Sequence, residues 1–185
     1  MFARTDRLLL RPGWVEDAPA LHLALAEEAI VRNLATAPWP YGLEHAESFL
    51  ATERRPEDRV MVVLLRGPEE PKLIGTIGLS RRPGGDVELG YWIARPFWNR
   101  GFATEAGQAV LAAARESLRL PRVVAGHFVD NPASGRVLEK LGFRGTGEVV
   151  PRFSAARAEN APCRLFELDL TGEAITLDAE TAIAA

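Results

Sequence analysis

One cysteine in 185 residues excludes an internal disulfide and offers no clustered thiolates for zinc. That residue, Cys163, has no histidine near it in sequence, so it reads as a small apolar residue of a late strand rather than as a nucleophile. The three histidines, His22, His45 and His127, form no cluster, and no metal is expected. Neither sign of charge dominates: 22 basic against 25 acidic residues leave a net charge of −3 and a pI near 5.7. No global field therefore favours nucleic acid, and any anion site must be local. No apolar run approaches the length of a membrane span, and the stretch Met1–Arg7 lacks the apolar segment of a secretion signal. A cytoplasmic protein without membrane partners is the expectation. There is no internal repeat, and no Gly-x-Gly-x-x-Gly follows an early strand, which argues against a dinucleotide-binding Rossmann fold.

What is present is ordinary in bulk and specific in places. Hydrophobic residues make up 47% and charged residues 25%, enough for one well-buried domain, placed at residues 1–170. Residues 171–185 are rich in Ala, Thr and acids and read as a tail, or as a helix docking on a partner. Arg7–Arg11 is a short apolar run stopped by Pro12, a first strand. Glu16–Asn33 has helical spacing through Leu21, Leu25 and Ala29. The prolines at 38 and 40 force a loop before a second helix at Leu43–Arg54. Val60–Leu65 is a continuous β-prone run that suits a strand buried on both faces. Leu73–Arg81 follows as a strand, and Pro83–Asp86 closes a hairpin into Val87–Ala94. A helix over Phe102–Leu118, a strand at Arg122–Val129, a short helix at Pro132–Leu141 and a strand pair at Gly147–Phe153 and Cys163–Leu170 complete the chain. The strand–helix–strand passage implies one parallel step, between the fourth and fifth strands.

Two segments carry chemistry. The strand Val87–Ala94 breaks at Pro96, crosses a loop and enters an Ala-rich helix. Gly101 permits φ > 0 and close approach of a ligand to the main chain, and Ala103 is nearly as small. The N–H groups of a helix's first turn lack intrahelical partners, and the dipole adds positive charge there. With Arg100 beside them, such a loop suits phosphate, although a tight packed turn accounts for it equally. The second segment, Asp130–Phe143, is a well-punctuated helix. Asn131 can cap it, Pro132 sits where a missing N–H costs nothing, and Gly142 supplies a left-handed end.

Together the two segments resemble the GNAT superfamily of N-acetyltransferases, and are similar to its ribosomal-protein alanine N-acetyltransferase branch. Ile93, Trp98, Gly101 and Ala103 fill the places of the family's acyl-CoA pyrophosphate motif, with Trp98 where Gln or Arg is usual. Asn131, Ser134, Lys140, Gly142 and Phe143 fall on its motif after the fifth strand, and Thr5–Arg11 and Glu88–Ile93 also look like this branch. The resemblance implies a mixed α/β GNAT fold, a central sheet of about seven strands flanked by about four helices, with strands four and five splayed. It implies acetyl-CoA as co-substrate and a primary-amine acceptor, with transfer in one ternary complex; a homodimer is allowed. The backbone of Tyr91, Trp92 and Ile93 would hold the pantetheine arm, and the loop from Trp98 through Asn99, Arg100, Gly101, Phe102, Ala103 and Thr104 the pyrophosphate. Asn131 would hold the thioester end. Trp39 and Tyr41 lie where the family places its acceptor loop, although a packed apolar loop competes equally.

The reaction must deprotonate an amine, stabilise the thioester oxygen and release a thiolate. A lysine-type amine of pKa ~10.4 costs roughly 4–5 kcal/mol to deprotonate near neutrality, and an α-amine near 8 only about 1. Glu88 is the candidate base, direct or through water, or else a substrate anchor. Many family members use a tyrosine beyond the fourth helix as acid; this chain has only Tyr41 and Tyr91, and neither lies there. Ser134 takes the place the ribosomal branch uses, either hydrogen bonding to sulfur or serving only its helix. His127, near the presumed cleft, is more readily a packed strand residue than a catalyst. A protein N-terminal amine is favoured. Small amines (aminoglycoside, polyamine or amino acid) and a non-catalytic acyl-CoA sensor are the alternatives. No acidic run marks a polyamine site, although single carboxylates such as Glu47 could assemble one in three dimensions.

Overall fold

A computed structural model of the chain describes residues 2–55, 58–68 and 70–172; most of the predicted tail lies outside these. The strands are β1 (Ala3–Arg4), β2 (Leu8–Arg11), β3 (Arg59–Leu65), β4 (Lys72–Arg81), β5 (Val87–Ile93), β6 (Arg122–Phe128), β7 (Arg144–Ser154) and β8 (Glu159–Asp169). The helices are α1 (Ala18–Leu25), α2 (Glu28–Val31), α3 (Leu43–Ala51), α4 (Phe102–Glu116) and α5 (Pro132–Lys140). One sheet holds the strands in the order β1-β2-β3-β4-β5-β6-β8-β7. Every adjacent pair is antiparallel except β5–β6, the expected parallel step.

Two apolar layers cover the faces. Alternate residues of β3 divide between them: Met61 and Val63 join α4 and α5, and Val62 and Leu64 join α1, α2 and α3. The unbroken Val60–Leu65 run is thus explained by burial on both sides. The small residues of α4 let it lie close to α5, and a β-carbon on Gly107 would stand 2.6 Å from Leu141.

The expected long helix at 16–33 is broken. A 3-10 turn at Val15–Asp17 precedes α1, and the chain leaves the helix at Ala26 (ψ 51°) and runs extended at Glu27 before α2. The break rotates α2 so that Ile30 and Val31 both enter the core, a tertiary demand that outweighs helix propensity at Ala-Glu-Glu. The second helix stops at Ala51, the two-residue β1 precedes the first expected strand, and the last hairpin is longer than expected, with a register shift between Gly145 and Val149. Among the described residues these differences bring the count to eight strands and five α-helices.

Candidate active site

β5 and β6 meet at a single bridge, Glu88 with Val124, and diverge beyond it. A cavity of about 450 Å³ occupies this region, lined by both strands, the loop before α4, the start of α5 and the segment after α2. At one end the chain enters α4 with Asn99 at φ 58° and Gly101 at φ 79°, both left-handed. The helix ladder opens with Glu105 N–H donating to Gly101 O at 3.0 Å. The N–H groups of Phe102, Ala103 and Thr104 therefore precede the ladder, and these residues line the cavity. Left-handed residues at 99 and 101, just ahead of a 15-residue helix whose dipole adds positive charge at its start, are a backbone geometry that suits an anion.

The loop is fastened from behind. Arg7 donates to Arg100 O at 3.0 Å and clasps Glu105 through Nε at 2.7 Å, while its own N–H donates to Glu105 at 3.0 Å. Thr5 Oγ1 donates to the same carboxylate. These bonds, together with the N–H of Arg7, outweigh the opposing effect of burial and hold Glu105 below the ordinary carboxylate range. Trp98, at the motif position usually Gln or Arg, closes the loop onto β5: its indole N–H donates to Ile93 O at 2.6 Å.

In the middle of the cavity, Asn131 caps α5 as expected, with Oδ1 accepting from Ser134 N–H at 3.4 Å. Tyr91 reaches across from β5, its hydroxyl 2.8 Å from Ser134 Oγ and 3.0 Å from Ser134 O. Burial pushes the Tyr91 phenol up to about 12, so it stays protonated near neutrality. It has one proton to give. Donated to Oγ, it frees the serine proton for the cavity; donated to the carbonyl, it leaves the serine hydroxyl to donate back to the phenol. His127 lies nearby, its Nδ1 2.8 Å from Phe128 O and its ring against Phe166 and Gly135.

At the far end, Glu88 is 12% exposed and clasped by two guanidiniums, Arg152 at 2.5 Å and Arg82 at 3.0 Å. Arg152 comes from β7 and passes over Gly126 of β6, where a β-carbon would stand 3.4 Å from its Nη1. The wall formed by Asn33, Leu34 and Ala35 is docked on the β7–β8 hairpin. Ser154 Oγ donates to Leu34 O at 3.0 Å, Ala155 N–H to Ala35 O at 2.9 Å and Arg157 Nε to Arg32 O at 2.7 Å.

Glu88, Tyr91, Trp92, Ile93, Trp98, Asn99, Gly101, Phe102, Ala103, Thr104, Asn131 and Ser134 all line this one cavity. Arg100 does not; its guanidinium lies over the Phe97 and Phe102 rings at 5.7 and 5.1 Å. Tyr41 is not brought to the site either. It is buried in the core between His22 and His45, and burial pushes its phenol up to about 12. Trp39 is half exposed and off the cavity wall, and Glu47 is exposed on α3. Cys163 is buried, which pushes its thiol up. Sequence reasoning missed Arg82, Arg152 and the tyrosine–serine contact. For Arg7 there was a signal, the Thr5–Arg11 resemblance, but no reading of what the arginine does.

The sequence pattern of the acetyltransferase (GNAT) domain matches residues 7–144. The uncharacterised N-acetyltransferase YoaA of Bacillus subtilis (strain 168) is 33% identical over 155 residues, spanning 77% of this chain and 82% of YoaA. The fold is similar to the crystal structure of a GNAT-family acetyltransferase from Bacillus anthracis, with TM-score 0.79, 24% identity and coverage of 93% of this chain and 100% of that one. It is also similar to spermidine N-acetyltransferase from Vibrio cholerae, solved with CoA and spermine, with TM-score 0.72, 20% identity and coverage of 90% and 97%. The matched domain takes in most of the chain, including the loop before α4 and the capped start of α5. On these grounds the chain belongs to the GNAT family and is an acetyl-CoA-dependent acetyltransferase.

Proposed function

We propose that the acceptor is a primary amine at a protein N-terminus, and that it attacks acetyl-CoA directly while both are bound. The observation that carries this reading is the single cavity joining the N-terminal loop of α4 to Glu88. A co-substrate and an acceptor can meet there with no covalent relay. The N–H groups of Asn99 to Thr104 receive the pyrophosphate, the main chain of Tyr91 to Ile93 the pantetheine arm, and Asn131 the thioester end. Main-chain N–H groups of β5 face the carbonyl oxygen as it gains charge. The amine nitrogen forms its bond to the acetyl carbon as the carbon–sulfur bond breaks. Glu88 takes the proton that the amine loses, directly or through a water, and Ser134, held by Tyr91, hydrogen bonds the departing thiolate.

Glu88 Oε1 already accepts from Arg152, and Oε2 stands 3.0 Å from Arg82 Nε in an ion pair, so part of its capacity is committed. That favours an acceptor demanding little of its base, and an α-amine demands roughly 3 kcal/mol less than a lysine. The test is a panel of peptides with free N-termini, lysine side chains, polyamines and aminoglycosides, read by release of free thiol. Peptide α-amines are expected to turn over best, and Glu88→Gln to slow them about a hundredfold while sparing CoA affinity. Turnover confined to polyamines or aminoglycosides overturns the acceptor assignment, and an unchanged rate removes Glu88 from the base role.

A further inference from the structure

The acceptor end of the cavity has a sign. Among the ionisable side chains lining the cavity, histidine aside, Arg82, Arg136, Lys140 and Arg152 are cationic and only Glu88 is anionic. Arg136 and Lys140 belong to α5, and Lys140 also faces the groove beside Gly101 and Thr104, toward the phosphate end. Arg82 and Arg152 flank Glu88 at the acceptor end, leaving that cluster one positive charge in excess. A second cluster repeats the pattern behind the Asn33–Ala35 wall. Asp130 accepts two hydrogen bonds of 2.9 Å from Arg157 and one of 3.0 Å from Arg32. It too carries one excess positive charge. On a chain of net charge −3 this local excess runs against the overall balance.

Hydrogen-bonding capacity points the same way. A guanidinium has five N–H groups and no acceptor. Arg152 gives Nη1 to Glu88 and Arg82 pairs with it through Nε at 3.0 Å, and among the described residues the side-chain donors of these two arginines have no further hydrogen bond or ion pair. Donors therefore remain for a carbonyl or carboxylate entering beside the amine. Among the described residues a second ammonium finds no free carboxylate on the wall, since Glu88 is already paired with both arginines.

Resting on the N-terminal reading above, we propose that Arg82 and Arg152 select acceptors whose amine is followed by acidic groups, an acidic N-terminal peptide segment, and turn away polycationic amines. The repulsive half of this selection matters as much as the attractive half, because specificity is a difference between affinities.

The test compares kcat/KM for three peptides sharing one N-terminal residue and followed by aspartates, neutral residues or lysines, with spermidine as a fourth acceptor. The wild-type enzyme is expected to favour the acidic over the basic peptide by about tenfold or more at low salt, and the ratio to shrink as ionic strength rises. Arg152→Gln and Arg82→Gln should each lower that ratio several-fold with the CoA dissociation constant unchanged, whereas Arg152→Lys, which keeps the charge, should retain most of it. Thermal unfolding identifies any variant that fails to fold, and the wild-type salt dependence and Arg152→Lys then still decide. Equal or better turnover of the basic peptide, or a ratio untouched in both glutamine variants, overturns the charge selection. Failure of every peptide with turnover of spermidine would sink the N-terminal assignment as well.

Discussion

Replacing Gly101 with alanine isolates the backbone geometry of the loop before α4 from everything else about it. The residue sits at φ 79°, ψ 1°, and a β-carbon there would lie 3.5 Å from Arg7 Nη2, an ordinary contact. Sterics with neighbours therefore add little, and the cost is that of a left-handed L-residue, about 1–2 kcal/mol. For a chain of this size that lowers Tm by roughly 2–8 °C. Gly147 has a similar φ of 85° with nothing within 4 Å, on the distant β7, and supplies the control. Both alanine variants should lose similar stability by differential scanning fluorimetry, but only Gly101→Ala should weaken CoA binding by calorimetry, about tenfold. Gly101→Asp adds a negative charge beside the pyrophosphate; a unit pair ~5 Å apart at an effective dielectric of ~20 costs about 3 kcal/mol before screening. Solvent exposure of Gly101 reduces this, and a further loss of about ten- to thirtyfold is expected. CoA affinities within twofold of wild type in both Gly101 variants would refute the amide cradle.

Two other outcomes separate roles within the molecule. Tyr91→Phe deletes a buried hydroxyl but keeps the ring, and should lower turnover about tenfold with CoA affinity retained. Ser134→Ala should do likewise, and the double variant should be little worse than the poorer single one; fully additive losses would show that the two hydroxyls do not act as a unit. The Asp130 carboxyl is held low chiefly by the Arg157 guanidinium, and Glu105 by Thr5 and Arg7 against the opposing pull of burial. A depressed carboxylate contributes stability above its unfolded value and loses it as pH falls through the folded one. With ordinary values of 3.8 and 4.5, this contribution is complete above about pH 6 and fades below about pH 4. Glu105→Gln should accordingly flatten part of the acid decline in Tm, and an unaltered slope would show that the carboxylate is not held as described.

What could be read from the sequence was local. The loop through Gly101 and the cap at Asn131 lie within a few residues of the elements they shape, and backbone rules suffice for both. Val60–Leu65 announced its two-sided burial by composition alone. Other features depend on residues that meet only after folding. Arg152 and Glu88 are 64 positions apart, and Tyr91 and Ser134 are 43 apart. Nothing in either local pattern specifies its partner. The break at Ala26–Glu27 is likewise tertiary, since the segment is a competent helix former on its own. Tyr41, after two prolines and before a glycine, suited an exposed acceptor loop and a packed one equally in sequence, and the distant partners decide it: its ring fills the space between two histidines.

The lone Glu88–Val124 bridge means that the sheet is zipped shut at one point and unlaced beyond it. Side chains also tie the two sides together: Arg152 of β7 to Glu88 at the bridge itself, and Tyr91 of β5 to Ser134 at the start of α5. A rod-shaped guest offering amide groups of its own would act as the missing strand. Occupancy should then stiffen both halves together, retarding amide exchange along β5 and β6 far beyond the atoms the guest touches.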